Sequence, residues 1–188
     1  MSNKTTIKFN PNQQIDQKTI NLLVQKANEV KTRAYCPYSK FQVGAALITP
    51  NGNIYQGCNF ENAAYGNTIC AERGAIASMI ASGEYVFSAI AIVTNVTGYN
   101  DNDVSSPCGA CRQSMREHTA GDKLDDTLVI MENKDGKRVI KDMEQILPMS
   151  FGPDSLGIDV SMYAKQGRDL GLYDNYKKET DNKVNGGD

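Results

Sequence analysis

The sequence lacks the features that mark proteins binding nucleic acid or membranes. Across 188 residues no run of Lys and Arg is longer than two, and the formal net charge is −2. No apolar run approaches the roughly 20 residues of a membrane-spanning helix. Residues 1–14 are polar and have no apolar centre like that of a signal peptide. We therefore expect no nucleic-acid or membrane partner, and a small molecule suits this charge balance better than a polymer does.

Cysteine and histidine are also scarce, and their counts restrict the possible redox and metal chemistry. The chain has five cysteines, an odd number, and a single histidine, His118. This cysteine usage favours a reducing compartment, so we expect a cytoplasmic protein in which Cys36 and Cys58 are free buried thiols. His118 lies at the end of a predicted helix, and we interpret it as a surface or capping residue.

The other three cysteines lie in two short segments that together suggest a metal site. Cys70 begins the sequence Cys-Ala-Glu-Arg, and Cys108 and Cys111 lie in Pro-Cys-Gly-Ala-Cys. Thiolates suit Zn²⁺, which takes three protein ligands in catalytic sites and leaves the fourth position for water. Glu72 is close enough to Cys70 to accept a proton from that water. This layout resembles the signature of zinc-dependent deaminases, and it predicts one Zn²⁺ per chain.

Simpler interpretations of these cysteines remain open at this point. A Cys-x-x-Cys pair also occurs in redox centres and in structural zinc knuckles. A closed structural site would need a fourth ligand, for which Cys36, Cys58 and His118 are candidates. Such a site would have no use for Glu72, so the full motif at the correct spacing favours a catalytic site.

The charge of the proposed centre leads to two further expectations. Three thiolates and one Zn²⁺ sum to −1, which opposes deprotonation of a bound water. Arg73 and Arg112 each adjoin a ligand motif, so at least one of them should hydrogen-bond a ligand sulfur; otherwise both are surface arginines. Positions two apart in a helix point in different directions. Cys70 must therefore lie at or before the start of its helix if Glu72 is to face the metal.

Hydrophobic periodicity predicts helices and strands in alternation around these motifs. The predicted elements are a helix after the N-cap Asp16 to about Arg33, strands at 41–49 and 54–59 with a turn at 50–53, a helix at about 70–82, a strand at 86–94, a helix at about 108–118, strands at 127–131 and 137–140, and a short helix at 142–147. In the second helix Ala71, Ala75, Ile76, Met79 and Ile80 should face inward. This order indicates an α/β fold, a three-layer α-β-α sandwich with a mixed five-stranded sheet.

Composition divides the chain into three parts. Residues 1–14 should form a flexible N-terminal arm. Residues 15–157 carry the motif that resembles that of zinc-dependent deaminases, and this resemblance implies that they form a zinc-dependent deaminase domain. Residues 158–188 are polar and rich in charge, so we expect a partly disordered C-terminal tail with partial helix near Ala164 at most.

Further sequence blocks resemble cytidine deaminases of the single-domain, homotetrameric type. The blocks are residues 36–47, 57–63, 70–73, 106–113 and 147–153, and the resemblance covers about residues 15–157. It implies a cytidine deaminase-like fold and a role in pyrimidine salvage. In that role cytidine and deoxycytidine are hydrolysed to uridine and deoxyuridine with release of ammonia. Water activated by zinc would attack C4 of the base, and Glu72 would protonate N3 and then serve the leaving amino group.

The resemblance also assigns residues around the substrate. Phe41 would line the base pocket, Asn59 and Glu61 would hold the ribose hydroxyls, and Ala71 would contact the substrate. An independent argument agrees in part, because Asn59 and Glu61 alternate along an extended segment and share one face. An amide and a carboxylate suit a diol, although both residues could equally be polar loop positions.

Other residues would act around the zinc or across a subunit boundary, again by resemblance. Arg73 would hydrogen-bond the ligand thiolates, and Gln113 would lie near the zinc. Tyr65 and Phe151 would reach into a neighbouring subunit's pocket, so that a homotetramer completes each site. Without the resemblance, Phe151 would be interpreted as a core residue.

Three other functions compete with this one. A deaminase of another aminopyrimidine, such as the antibiotic blasticidin S, is disfavoured because residues 59–62 suit a simple ribonucleoside. A polynucleotide-editing deaminase is disfavoured because Cys70 stands where such enzymes usually have histidine, and because a basic surface is missing. A zinc-stabilised interaction module without turnover is the third, and it would not depend on Glu72.

Overall fold

A computed structural model describes residues 15–97, 103–120, 124–160 and 163. Within these ranges the helices are α1 (Gln17–Lys31), α2 (Ala71–Ala81), α3 (Gly109–Glu117) and α4 (Met143–Ile146), and the strands are β1 (Val43–Ile48), β2 (Ile54–Cys58), β3 (Ala89–Thr94), β4 (Leu128–Glu132) and β5 (Arg138–Asp142). The strands form one sheet in the order β2-β1-β3-β4-β5, in which β3 and β4 are parallel and the other neighbouring pairs are antiparallel. The predicted mixed five-stranded α/β sheet is confirmed.

Strand β1 begins two residues later than the periodicity predicted. Val43 pairs with Thr94 of β3, and Gly44 pairs with Cys58 of β2. Both neighbouring strands end at these pairs, so the backbone before Val43 has no strand beside it to continue the ladder. The apolar pattern extends past this point because Phe41 still packs against the core.

Helix α1 covers one face of the sheet. Asp16 is its N-cap, and its carboxylate accepts a hydrogen bond from the Thr19 N–H at 2.8 Å. The buried apolar residues of α1 are Ile20, Leu23, Val24, Ala27 and Val30. Gly44 lets the helix approach β1, since a Cβ at this position would lie 2.0 Å from the Ala27 carbonyl oxygen.

Helices α2, α3 and α4 pack around the other core cluster, on the opposite face. Gly57 of β2 allows α2 to approach, because a Cβ there would lie 2.3 Å from the Ala75 nitrogen. Four of the five residues predicted to face inward on α2 are buried, but Ile80 is 38% exposed. The prediction for Ile80 is wrong because this residue lies in the last turn of α2, where Ala81 and Ser82 are exposed as well and the buried part of the helix ends at Met79.

The proposed arm and most of the proposed tail fall outside the described residues, as does the predicted partial helix near Ala164. Of the tail, the ring of Tyr163 packs edge-to-face on Tyr85 with centroids 5.4 Å apart. In the described ranges no helix is both long and apolar enough to cross a membrane.

Candidate metal centre and substrate pocket

Three cysteine sulfurs meet where two helices begin. Cys70 is the N-cap of α2, Cys108 is the N-cap of α3, and Cys111 lies in the first turn of α3. Their Sγ atoms all lie within 4.8 Å of one another, and those of Cys70 and Cys108 are 4.0 Å apart. Sulfurs of a tetrahedral zinc site with Zn–S bonds of about 2.3 Å would be about 3.8 Å apart, so the three residues fit a bound Zn²⁺.

No fourth metal ligand joins this cluster in the described part of the chain. The cluster contains Cys70, Cys108 and Cys111 but none of the alternative ligands suggested by the sequence. His118 is the C-cap of α3, and its Nδ1 lies 2.8 Å from the Tyr85 carbonyl oxygen. Cys36 is a buried free thiol and Cys58 a half-buried one. The described residues thus offer three sulfurs, which leaves the fourth position of a tetrahedral ion for a water or substrate.

The two helix ends bring the sulfurs together for a topological reason. The chain leaves β2 and β3 at the same edge of the sheet before it reaches α2 and α3. Neither Cys70 nor Cys108 caps its helix with a side-chain hydrogen bond, so their sulfurs are available to a metal. The free N–H groups at a helix N-terminus also favour negative charge on a nearby sulfur.

The sulfurs share hydrogen bonds that favour a thiolate. A hydrogen bond from Cys111 lowers the pKa of Cys70 to about 5, and the Arg73 guanidinium contributes in the same direction. The pKa of Cys111 is raised because Cys111 donates its proton to Cys70 and is buried. A thiolate is therefore favoured at neutral pH even before a metal binds.

Only one of the two candidate arginines lies beside the sulfurs. Arg73 lies close enough to Cys70 to help lower the pKa of that thiol, and its side chain donates to the Thr68 carbonyl at 3.1 Å. Arg112 instead donates to the carbonyl oxygens of Pro107 at 2.8 Å and Ile146 at 3.0 Å, and to a serine hydroxyl. Its bonds hold the turn that leads into Cys108 against the end of α4.

Glu72 lies in the first turn of α2 and is 4% exposed. Because Cys70 precedes the helix as its N-cap, the glutamate can lie next to the sulfurs, as the sequence argument required. Its carboxylate contacts Cys111, and burial raises the pKa of Glu72. A raised pKa lies closer to pH 7, and there the carboxyl group can both accept and release a proton.

The two residues assigned to the ribose flank Phe60, whose backbone pairs with that of Ile69 directly before Cys70, and both already bind the backbone. The Asn59 side chain accepts from the Val43 N–H and donates to the Phe41 carbonyl, both at 2.8 Å. Glu61 accepts from the N–H groups of Tyr38 at 2.9 Å and Ser39 at 3.3 Å. Hydrogen bonds from Ser39 and Tyr38 lower the pKa of Glu61, so it is ionised at neutral pH and can accept hydrogen bonds from hydroxyl groups.

The residues assigned to a subunit boundary lie on the surface. Tyr65 is 67% exposed, and its ring packs edge-to-face on Tyr38 of the same chain. Phe151 is 60% exposed, so its interpretation as a core residue is wrong. Gln113 donates to the Phe151 carbonyl at 2.9 Å and thus holds the segment that carries this ring. Ala71 is fully buried directly after Cys70.

One residue at this end of the sheet had no signal in the sequence. Asn95 follows β3, and its side chain donates to the Lys40 carbonyl at 3.0 Å and accepts from the Gln42 N–H at 2.9 Å. An asparagine in a polar loop resembles any turn residue. Only the pairing of β1 with β3 could have shown that Asn95 lies beside Phe41.

Comparisons with known proteins agree with this geometry. A family model described as the cytidine and deoxycytidylate deaminase zinc-binding region matches residues 17–123. A cytidine deaminase of Sporosarcina psychrophila is 38% identical over 137 residues, which is 73% of this chain and 94% of the relative. A cytidine deaminase of Mycobacterium tuberculosis strain H37Rv is 35% identical over 136 residues, covering 72% of this chain and 92% of the relative.

Solved structures extend the similarity to the fold. The crystal structure of cytidine deaminase from Burkholderia pseudomallei superposes with a TM-score of 0.62 at 40% identity. It covers 70% of this chain and 98% of that protein. The region matched by the family model, residues 17–123, contains strands β1 to β3, both helix starts and all three cysteines. This chain therefore belongs to the cytidine and deoxycytidylate deaminase family, whose members carry this zinc-binding region.

Proposed function

We propose that this chain hydrolytically deaminates cytidine and deoxycytidine to uridine and deoxyuridine with release of ammonia, as a step of pyrimidine salvage. The observation that carries the proposal is the buried Glu72 beside three convergent cysteine sulfurs. A purely structural zinc site has no need of a buried carboxylate, whose desolvation is unfavourable. Membership of the deaminase family supports the same chemistry.

Cys70, Cys108 and Cys111 would hold the zinc, which when bound lowers the pKa of a water and makes it a nucleophile at neutral pH. Arg73 offsets the negative charge of the sulfurs. Glu72 accepts a proton from the water and delivers it to N3 of the base as the water oxygen bonds to C4. The second proton of the water then goes to the exocyclic amino group, the C4–N bond breaks, and ammonia leaves.

The substrate would lie between the sulfurs and the ends of β1 and β2. Phe41 is half-buried against the core and offers a ring to the base. Ionised Glu61 would accept hydrogen bonds from the ribose hydroxyls. Asn59 has one N–H and one lone pair beyond those bound to the backbone, and these would serve the same hydroxyls.

We further propose a homotetramer as the working form and the cytoplasm as its location. Tyr65 and Phe151 are large, exposed aromatic side chains, and the second subunit's pocket would cover them. The five cysteines are all free, in agreement with a reducing compartment. Residues 15–157 would constitute the deaminase domain.

The direct test is to incubate the purified protein with cytidine and with deoxycytidine and to measure uridine, deoxyuridine and ammonia. Protein treated with a chelator should be inactive and should recover when zinc is restored. Absence of product from zinc-loaded protein would refute the proposed function.

Glu72→Gln separates an enzyme from a zinc-stabilised interaction module. We expect kcat to fall by about 10²- to 10⁴-fold, because a proton-transfer group is lost, while zinc content stays at one per chain. The unfolding temperature should not fall, since the substitution removes a buried carboxyl with a raised pKa. Unchanged turnover would show that Glu72 is not the proton-transfer group.

A further inference from the structure

The segment that carries Phe41 lies beyond the strand ladders, and side chains supply most of its hydrogen bonds. Strand β1 begins at Val43, where β2 and β3 end on either side of it. A backbone segment at such a position must find other partners for its polar groups. Two asparagines that directly follow the flanking strands, Asn59 after β2 and Asn95 after β3, provide them.

The two asparagines divide the segment between them. Asn59 binds the backbone of Phe41 and Val43. Asn95 binds the carbonyl of Lys40 at 3.0 Å and the N–H of Gln42 at 2.9 Å. Backbone groups of successive residues in an extended chain point to opposite sides, which explains why one asparagine holds alternate residues from each side. Phe41 is thus fixed between two amide groups.

The backbone immediately before Phe41 is strained. Lys40 has φ 58°, in the left-handed region that residues with a side chain rarely adopt. Its N–H donates to the Cys36 carbonyl at 3.1 Å, and its own carbonyl accepts from Asn95. Without the Asn95 side chain, one of the two bonds that hold this conformation is lost, and Lys40 can relax toward an ordinary backbone angle. That relaxation would rotate the peptide that carries the Phe41 ring.

We propose that Asn95 is a positioning residue that holds Phe41 in place to receive the base. The contact between Phe41 and the base rests on the proposed function. The hydrogen bonds from Asn95 to residues 40 and 42 are observed independently of it. A ring that binds the substrate and the transition state alike affects KM more than kcat. Asn95 therefore acts on substrate affinity and leaves proton transfer at Glu72 unchanged.

The first test is Asn95→Ala, which removes two side-chain hydrogen bonds and keeps the bond from the Asn95 N–H to the Gln42 carbonyl. We expect KM for cytidine to rise about tenfold, with kcat within about twofold of wild type. Asn53→Ala is the matched control: it removes a single asparagine bond, 2.9 Å to Glu84, in the β1–β2 turn. The control should leave KM unchanged. An equal KM for Asn95→Ala and wild type would refute the proposal.

A double-mutant cycle distinguishes positioning of Phe41 from a general loss of structure. Phe41→Ala should raise KM by itself, and adding Asn95→Ala should then raise it no further, because the ring to be positioned is gone. If the effect of Asn95→Ala is undiminished in the Phe41→Ala background, Asn95 does not act through Phe41. Should Asn95→Ala fail to fold, Asn95→Asp replaces it, since it keeps the acceptor for Gln42 and loses the donor to Lys40.

A spectroscopic test does not need catalysis. The chain has no tryptophan, so Phe41→Trp places a single indole in the pocket. We expect Asn95→Ala to lower the fluorescence anisotropy of this indole, and Asn53→Ala to leave it unchanged. Equal anisotropy with and without Asn95 would overturn the positioning role even in an active enzyme. If the wild type does not deaminate cytidine but Asn95→Ala still lowers the anisotropy of the indole, only the proposed function is refuted and the positioning role of Asn95 stands.

Discussion

Helix α1 covers one face of the sheet mainly with apolar side chains, whereas the helices on the other face also carry three cysteines and a buried glutamate. Both faces are closely packed: Gly44 meets α1, and Gly57 meets α2, with no room for a Cβ. The faces differ in what is buried. Leu23 on α1 is fully buried among apolar side chains, whereas Glu72 on α2 is a buried carboxyl group whose pKa is raised by that burial.

This difference indicates that stability and chemistry are unevenly divided between the two faces. Burial of an ionisable group is unfavourable, so packing alone does not explain why Glu72 is buried. The α1 face also has a buried carboxylate, Glu132, but Arg138 pairs with it at 2.7 Å. This face can therefore supply apolar stabilisation without touching the site. Substitutions on the two faces should therefore change different measurable quantities.

The largest effect is expected for Cys108→Ala on the site face. Loss of one of three sulfurs should abolish zinc binding and activity, and it should lower the unfolding temperature because metal binding is coupled to folding. Metal content and thermal unfolding measure both effects. Cys58→Ala, which lies outside the cluster, should keep one zinc per chain. One zinc per chain in Cys108→Ala would disprove this ligand assignment.

Leu23→Ala on the α1 face should show the opposite pattern. The side chain is fully buried, so its truncation should lower the free energy of unfolding by about 2–5 kcal/mol. Zinc content, KM and kcat at a temperature where the variant is folded should match wild type. A changed KM would mean that the faces are not independent.

Gly57→Ala and Gly44→Ala compare the same change on the two faces. Each new Cβ would meet helix backbone, so each should destabilise the fold by about 1–3 kcal/mol or more. Only Gly57→Ala displaces α2, whose N-cap is Cys70, and we expect it alone to weaken zinc binding. Competition with a chelator measures that affinity; equal zinc affinity in the two variants would contradict the expectation.

The smallest effect concerns the acid dependence of two carboxylates. Hydrogen bonds lower the pKa of Glu61 near the site and of Asp16 at the start of α1. Their stabilisation is present above the unfolded pKa, about 4, and is lost as pH falls through the folded value. The stability difference between wild type and Glu61→Gln or Asp16→Asn should therefore shrink in acid. Only Glu61→Gln should raise KM for cytidine; a raised KM in Asp16→Asn would contradict this division.

Periodicity and short motifs predicted most of the architecture. The helix after Asp16, the hairpin turn and the succession of helices and strands along the chain are confirmed, since each depends on local residue patterns. Errors occurred where a tertiary contact decided the outcome. An apolar side chain predicts that Ile80 faces inward and, without the family resemblance, that Phe151 lies in the core, yet both residues are exposed. A residue's polarity does not reveal which side of a helix or loop the core occupies.

Residue types and their spacing along the chain are enough to identify the donor set, three cysteines and one glutamate at spacings that suit zinc. Cys108 and Cys111 lie in one short turn and approach one ion whatever the rest of the fold. Cys70 is recognised by its motif with Glu72, and it joins the other two because both helices begin at the same end of the sheet. Only the folded chain shows that Arg73 and not Arg112 lies beside the sulfurs, and that Asn95 lies beside Phe41. These contacts join segments brought together by strand pairing and helix packing, and no spacing along the chain encodes them.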